Sequence, residues 1–166
     1  MKIAFSTLGC PNYDWKDVYS MAKDLGFDGI EIREIRSEFA RSPFSPDKCA
    51  ATAEKLKQIR LEVPCLSTGC VLSETDKSES NIEEITQYIK VASTLGASYI
   101  RILADRTPAP MGEVDDDAVI AEIKKLIPVA RENNIVLLVE TNGVYADTKR
   151  LKKLLDTVDD NSVAAL

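Results

Sequence analysis

Histidine is missing from all 166 residues. For the chain by itself, that absence removes a Ser-His-Asp triad, a histidine-rich zinc site and an imidazole general base. Any chemistry must rest on carboxylates, Lys, Arg, Tyr, Cys or backbone. Cys10, Cys49, Cys65 and Cys70 form no CxxC pair, which excludes a zinc ribbon and a thioredoxin motif. They read as reduced, mostly structural thiols of a cytosolic protein. No stretch approaches the roughly 20 apolar residues of a membrane span. The N-terminal "MKIAFSTLGCP" has too short an apolar run for a signal peptide. Neither a membrane nor secretion is indicated, and a cytoplasmic location is the expectation. Basic residues are outnumbered, with 21 Lys and Arg against 27 Asp and Glu for a net charge of -6. They are scattered, whereas nucleic acid binding needs them clustered, so nucleic acid is not an expected partner. Finally, no GxGxxG follows the first apolar run, and "TLGCPNYDW" (7 to 15) has no phosphate-loop pattern.

What is present is an alternation. Short apolar runs at 2 to 7, 29 to 33, 63 to 67, 99 to 103, 135 to 140 and 162 to 166 are separated by amphipathic stretches at about 14 to 25, 46 to 60, 78 to 95, 115 to 132 and 147 to 157. This predicts repeated βα units around a parallel sheet. In the first helix Val18, Met21, Ala22 and Leu25 share a stripe, Asp14 caps the start and Gly26 the end. An internal echo supports one repeated unit: "MAKDLGFDGIEIR" (21 to 33) and "VASTLGASYIRIL" (91 to 103) share Ala, Leu-Gly and Ile-x-Ile at equal offsets. A weaker copy, "ARENNIVLLVE", puts Asn134 where the others have glycine. Any helix-Gly-strand junction also has something of this appearance.

Two architectures suit such units, a doubly wound open sheet and a (β/α)8 barrel. Helix-to-strand connections are tight ("GFD", "GAS", "NN"), whereas strand-to-helix connections are long, as in "EIRSEFARSPFSP", "TGCVLSETDKS" and "ADRTPAPMGEVDD". Long loops at the carboxyl ends of strands suit a barrel whose working face is there. Strand alternation agrees. Glu31 and Arg33 share the face opposite Ile30 and Ile32, and Arg101 lies opposite Ile100 and Ile102. An open sheet covered by helices on both faces would bury those charges against apolar side chains, at several kcal/mol for each unpaired ion. A barrel interior can be polar. Strands begin roughly every 32 residues, and eight units would need about 250 residues. The expectation is therefore one domain over 1 to 166, an incomplete (β/α)8 TIM barrel of (βα)5 plus a sixth parallel strand, read as the front two-thirds of a longer protein.

The series "KIAFSTLGCP", "MAKDLGFDGIEIR", "STLGASYIRI" and "VLLVETNGVYADT", in that order and spacing across the whole chain, resembles the sugar phosphate isomerase/epimerase family of xylose isomerase-like barrels. The resemblance implies a divalent metal (manganese, magnesium, zinc or cobalt) at the carboxyl end of the barrel. It also implies two carboxylates that move a proton between neighbouring carbons of a sugar. Glu140 matches the first metal-ligand glutamate and is the candidate catalytic and metal residue. The family's other ligands, an Asp after strand six, a His after strand seven and a Glu on strand eight, would lie past Leu166. This accounts for the missing histidine. Where many relatives place a His two positions after the glutamate, this chain has Asn142, which can orient a substrate but not shuttle protons. The histidines of the related endonuclease branch are absent, which argues against DNA repair.

Within that resemblance Glu31 and Arg101 are candidates for contacting a sugar or its phosphate, or for an internal ion pair between strands. Arg33 leans towards substrate. Trp15 and Cys10 either wall the pocket or, for Trp15, pack on its own helix. Asp115, Asp116 and Asp117 are an acidic helix start favoured by the helix dipole, with a cation site as the alternative. One carboxylate rarely holds a metal tightly, so the chain alone is expected to be inactive and to bind none. Two alternatives stand beside this reading. One is a non-catalytic half-barrel that forms a homodimer through its exposed edge strands. The other is an open-sheet module that is complete as it stands.

Overall fold

In the computed structural model, residues 1–33, 46–106 and 113–166 are described. Six strands, β1 (Ala4–Ser6), β2 (Gly29–Glu31), β3 (Cys65–Val71), β4 (Tyr99–Leu103), β5 (Val136–Val139) and β6 (Val163–Ala165), alternate with five helices. The helices are α1 (Trp15–Asp24), α2 (Pro46–Gln58), α3 (Ser78–Leu95), α4 (Asp116–Glu132) and α5 (Thr148–Val158).

The helices stop by a common device. Gly26, Gly96 and Asn134, the three positions matched in the sequence echo, all take the left-handed conformation, with φ of 70°, 75° and 55°. The residue after each donates its N–H to a carbonyl five positions back: Phe27 to Ala22, Ala97 to Ala92 and Ile135 to Ala130, each at 2.9 Å. This is the Schellman closure, which satisfies carbonyls that a helix end leaves open. Arg60 makes a fourth copy, at φ 58° with Leu61 N–H to Leu56 O at 3.0 Å. No glycine announces it. At the other end of α1, Asp14 accepts from Asp17 N–H and Asp17 returns the bond, a reciprocal capping box.

The sheet order decides between the two architectures. β1 pairs with β2, and β3, β4, β5 and β6 pair in chain order, all parallel. Bridges at Gly29/Glu62 and Ile32/Leu66 join β2 to β3, with Ile30 N–H to Glu62 O at 2.8 Å and Ser67 N–H to Ile32 O at 2.9 Å. Spatial order therefore follows chain order throughout, whereas a doubly wound sheet must reverse it at a switch point. With right-handed crossovers this places every helix on one face, and α2 packs on α3, α3 on α4 and α4 on α5. The open-sheet alternative is thereby excluded. What remains is a barrel wall of six strands. Within it β1 and β6 each have one sheet neighbour among the described residues.

The core lies between the sheet and its helices. Ile30, Ile32, Leu66, Ile100, Ile102, Leu137 and Val139 are buried there against Val18, Ala22, Ile85, Ile89, Ile123, Leu126 and Leu151. Each fully buried aliphatic side chain contributes about 1.5–3 kcal/mol. Two sequence expectations need correction. Leu25 is 68% exposed, because the chain leaves the helix at that residue to enter the Schellman turn and the apolar stripe ends at Ala22. And β3 runs to Val71, through residues read as loop. A register shift between Ser67 and Val71, a stretch that includes Gly69, lets the strand pair again at Val71 with Leu103, and Cys70, Val71 and Leu72 are buried. No helix among the described residues is long and apolar enough to cross a membrane.

Candidate active site

Strand alternation puts one set of side chains on the face away from the helices. Ser6 lies in register with Glu31, and Ser67 with Arg101. Arg101 is in register with Leu138, so Glu140 stands one step further up the same face of β5. These side chains are paired, as buried or half-buried polar groups must be. The Glu31 carboxylate accepts from the hydroxyls of Ser67 and, at 3.3 Å, Ser6. Arg101 is 7% exposed; its Nε donates to Glu140 Oε2, and its Nη1 donates to the Thr68 carbonyl at 2.7 Å. The guanidinium thus ties Glu140 to the Thr68 carbonyl on β3 through two donors held in one plane. Glu140 keeps a half-buried side chain, and its Oε1 has no hydrogen-bond partner among the described residues. The arrangement is an internal ion pair with one carboxylate oxygen left without a partner among the described residues.

The turn that follows Glu140 is built tightly. Glu140 N–H donates to Ile102 O at 3.1 Å, and Asn142 Oδ1 accepts from Gly143 N–H at 2.7 Å. Asn142 therefore works first as a turn cap. Gly143 has φ 55°, and a Cβ there would lie 2.3 Å from Asp105 Oδ2. Asp105, 3% exposed at the carboxyl end of β4, accepts from Val144 N–H at 3.1 Å and from Ser73 Oγ at 3.2 Å. Sequence reasoning missed Asp105. The available signal was an aspartate closing the apolar run "YIRILAD".

The other candidates separate. Arg33 donates its N–H to Thr7 Oγ1 at 2.8 Å and lines a cavity of about 690 Å³ with Gly69, Cys70, Glu74, Lys77 and Arg106. Trp15 stacks on Tyr19 one turn along α1, with ring centroids 4.9 Å apart, so its indole packs on its own helix. Cys10 closes the short turn after β1, its N–H on Thr7 O. The acidic trio divides its work: Asp115 caps α4, accepting from Asp117 and Ala118 N–H, while Asp116 accepts from Tyr145 Oη at 2.8 Å and Arg150 Nε at 2.9 Å. Burial would raise the Asp116 pKa, but hydrogen bonds from Arg150 and Tyr145 outweigh it and hold the carboxyl below its usual value. Burial, reinforced by Asp116, pushes Tyr145 well up. Burial likewise pushes the thiols of Cys65 and Cys70 up to about 12, so neither is a nucleophile at neutral pH.

Among the described residues no three His, Cys, Asp or Glu side chains are grouped to hold a metal ion. One free Glu140 oxygen falls short of the several ligands a hard divalent cation needs. The described residues do not make a metal site of their own.

A family model described as "Xylose isomerase-like TIM barrel" matches residues 19–166. The chain belongs to that family. By sequence, no curated protein matches it significantly. Solved structures agree on the fold. The chain resembles the probable 3-DHS dehydratase AsbF, involved in petrobactin synthesis, from Bacillus anthracis, with TM-score 0.81 and 20% identity over 99% of this chain and 62% of that one. It resembles the IOLI protein with a bound zinc atom, with TM-score 0.78 and 17% identity over 98% and 61%. It also resembles a D-psicose 3-epimerase crystallised in the presence of D-fructose, with TM-score 0.74 and 16% identity over 99% and 62%. At such identities the likeness concerns the fold. Against these structures the xylose isomerase-like chain spans about three-fifths of their length.

Proposed function

We propose that the chain supplies the first six strands of a sugar isomerase or epimerase barrel, in which Glu140 is the working carboxylate. The observation that carries the reading is the position of Glu140. It sits at the carboxyl end of β5 on the inner face, one oxygen fixed by buried Arg101 and the other without a partner among the described residues. Active sites of such barrels are built at that end of the strands. A carboxylate held in one orientation is what proton transfer between neighbouring carbons requires. Glu31 with its two serine hydroxyls, the Arg33 guanidinium and the Asn142 carboxamide offer hydrogen bonds to the hydroxyls of a small sugar. Zinc in a structural relative supports a divalent cation in the completed barrel, to which this chain would lend one oxygen.

The test is deuterium wash-in. A ketose such as D-fructose is incubated in D2O with Mn2+, and loss of the proton next to the carbonyl is followed by 1H NMR. The reading expects exchange by this chain completed with the C-terminal strands of the D-psicose 3-epimerase, and loss of that exchange in E140Q. It expects none from the 166-residue chain alone. Exchange that survives E140Q contradicts it.

A further inference from the structure

We propose that Asp105 is a positioning residue for Glu140. The inference rests on the reading of Glu140 as the working carboxylate, and it assigns a role to a buried acid outside that reading. Residues 140–144 cross the end of β4 and are tied to it at both ends. At the start, Glu140 N–H bonds to Ile102 O at 3.1 Å; at the far end, Val144 N–H bonds to Asp105 Oδ2 at 3.1 Å. Between them the chain is closed on itself by Asn142 N–H to Glu140 O at 2.8 Å and Tyr145 N–H to Asn142 O at 3.0 Å. A rotation of the turn about Glu140 must therefore break the Asp105 bond.

The fit is specific on both sides. Gly143 leaves the space that the Asp105 carboxylate fills, since a Cβ there would be 2.3 Å from Oδ2 and 3.0 Å from the Asp105 backbone carbon. On its other oxygen Asp105 accepts from Ser73 Oγ at 3.2 Å, which anchors the acid to the segment after β3. A charged acceptor makes a stronger bond to a backbone N–H than a neutral one does. Arg101 then grips the side chain of the residue whose backbone Asp105 and Ile102 have set. β4 thus holds the Glu140 turn at both ends, while Thr141 N–H reaches Leu166 O at 3.3 Å on the side of β6.

The experiment measures where the Glu140 carboxylate sits, and it needs no turnover. The folded chain is treated with a carbodiimide and glycine ethyl ester, and Glu140 modification is read by peptide mass spectrometry relative to exposed Glu132. D105A should raise Glu140 labelling about tenfold, as loss of one hydrogen bond to a charged group frees the turn. D105N keeps a neutral acceptor for Val144 and should bring labelling most of the way back to wild type, well below D105A. S73A removes a different partner of Asp105 and should leave Glu140 labelling unchanged, whatever it costs in stability. Should D105A not fold, D105S falls equally short of Val144 and provides the same comparison. Wild-type labelling in folded D105A or D105S overturns the proposal, and so does an equal rise in S73A. Failure here leaves the deuterium exchange of E140Q to decide the role of Glu140 separately.

Discussion

Breaking the Arg101–Glu140 pair from either side should cost different amounts, and burial says which is larger. The Arg101 side chain is 8% exposed and that of Glu140 is 30% exposed. E140A leaves a guanidinium in the barrel interior with the Thr68 carbonyl still on it. Stranding one partner of a buried pair costs about 3–5 kcal/mol, and the retained bond to Thr68 places this case at about 3 kcal/mol. R101M removes the buried cation together with its desolvation penalty. It leaves a carboxylate that water can reach, at a cost of about 1 kcal/mol. For a domain of this size each kcal/mol shifts Tm by about 2–4 °C. E140A should therefore lower Tm by roughly 6–12 °C and R101M by roughly 2–4 °C. In R101M/E140A the double variant should cost about 2 kcal/mol instead of the additive sum of about 4, a coupling of about 2 kcal/mol. Urea unfolding followed by circular dichroism, with equal slopes in all variants, gives the free energies. If R101M proves as damaging as E140A, Arg101 is not a buried cation depending on Glu140, and the reasoning fails.

Other expectations follow from single positions. G143A combines a left-handed residue with a Cβ 2.3 Å from Asp105, whereas Gly26 has nothing within 4 Å of its Cβ position. G26A should cost about 1 kcal/mol and G143A clearly more in the same urea assay; equal losses would refute the close approach. Asp116 has a lowered pKa, so its contribution is complete above the unfolded value of about 3.9 and drains as pH falls through the folded value. D116N should be less stable than wild type at pH 7, and the two should converge in acid; a gap that widens below pH 4 contradicts this. Cys65 and Cys70, with pKa values near 12, should resist iodoacetamide at pH 8 in the folded chain while partly exposed Cys10 reacts. Equal alkylation rates would show that β3 is not packed as described.

Much of the fold could be read from local pattern because the βα unit repeats its own signals. Leu-Gly before Ile-x-Ile marked a Schellman stop and a strand with one apolar and one polar face, and Asn134 was readable as a substitute for glycine. Arg60 was not, since nothing in its side chain favours the left-handed conformation and only the tertiary position of Leu61 demands it. The far half of β3 was missed because Gly69 looks like a turn; the register shift that spans it is fixed by pairing with Leu103, a partner distant in sequence. At the site, Glu140 and Arg101 were visible as charges breaking apolar strands. Their pairing follows from neighbouring strands sharing a face. Asp105 was hidden for the opposite reason: an aspartate after a strand is common, and its meaning depends on Gly143 and Val144 arriving from another βα unit. Trp15 falls within the helix expected over 14 to 25, and Tyr19 one turn later supplies its stacking partner.

The most direct test of the claim that the inner face and mouth form the working surface is a 15N HSQC titration of the chain with D-fructose. The account predicts shifts concentrated on the amides of Arg33, Ser67, Arg101 and Glu140, with Leu25 and Ile59 at the opposite end unmoved. Shifts confined to that opposite end, or none at saturating ketose, would contradict it.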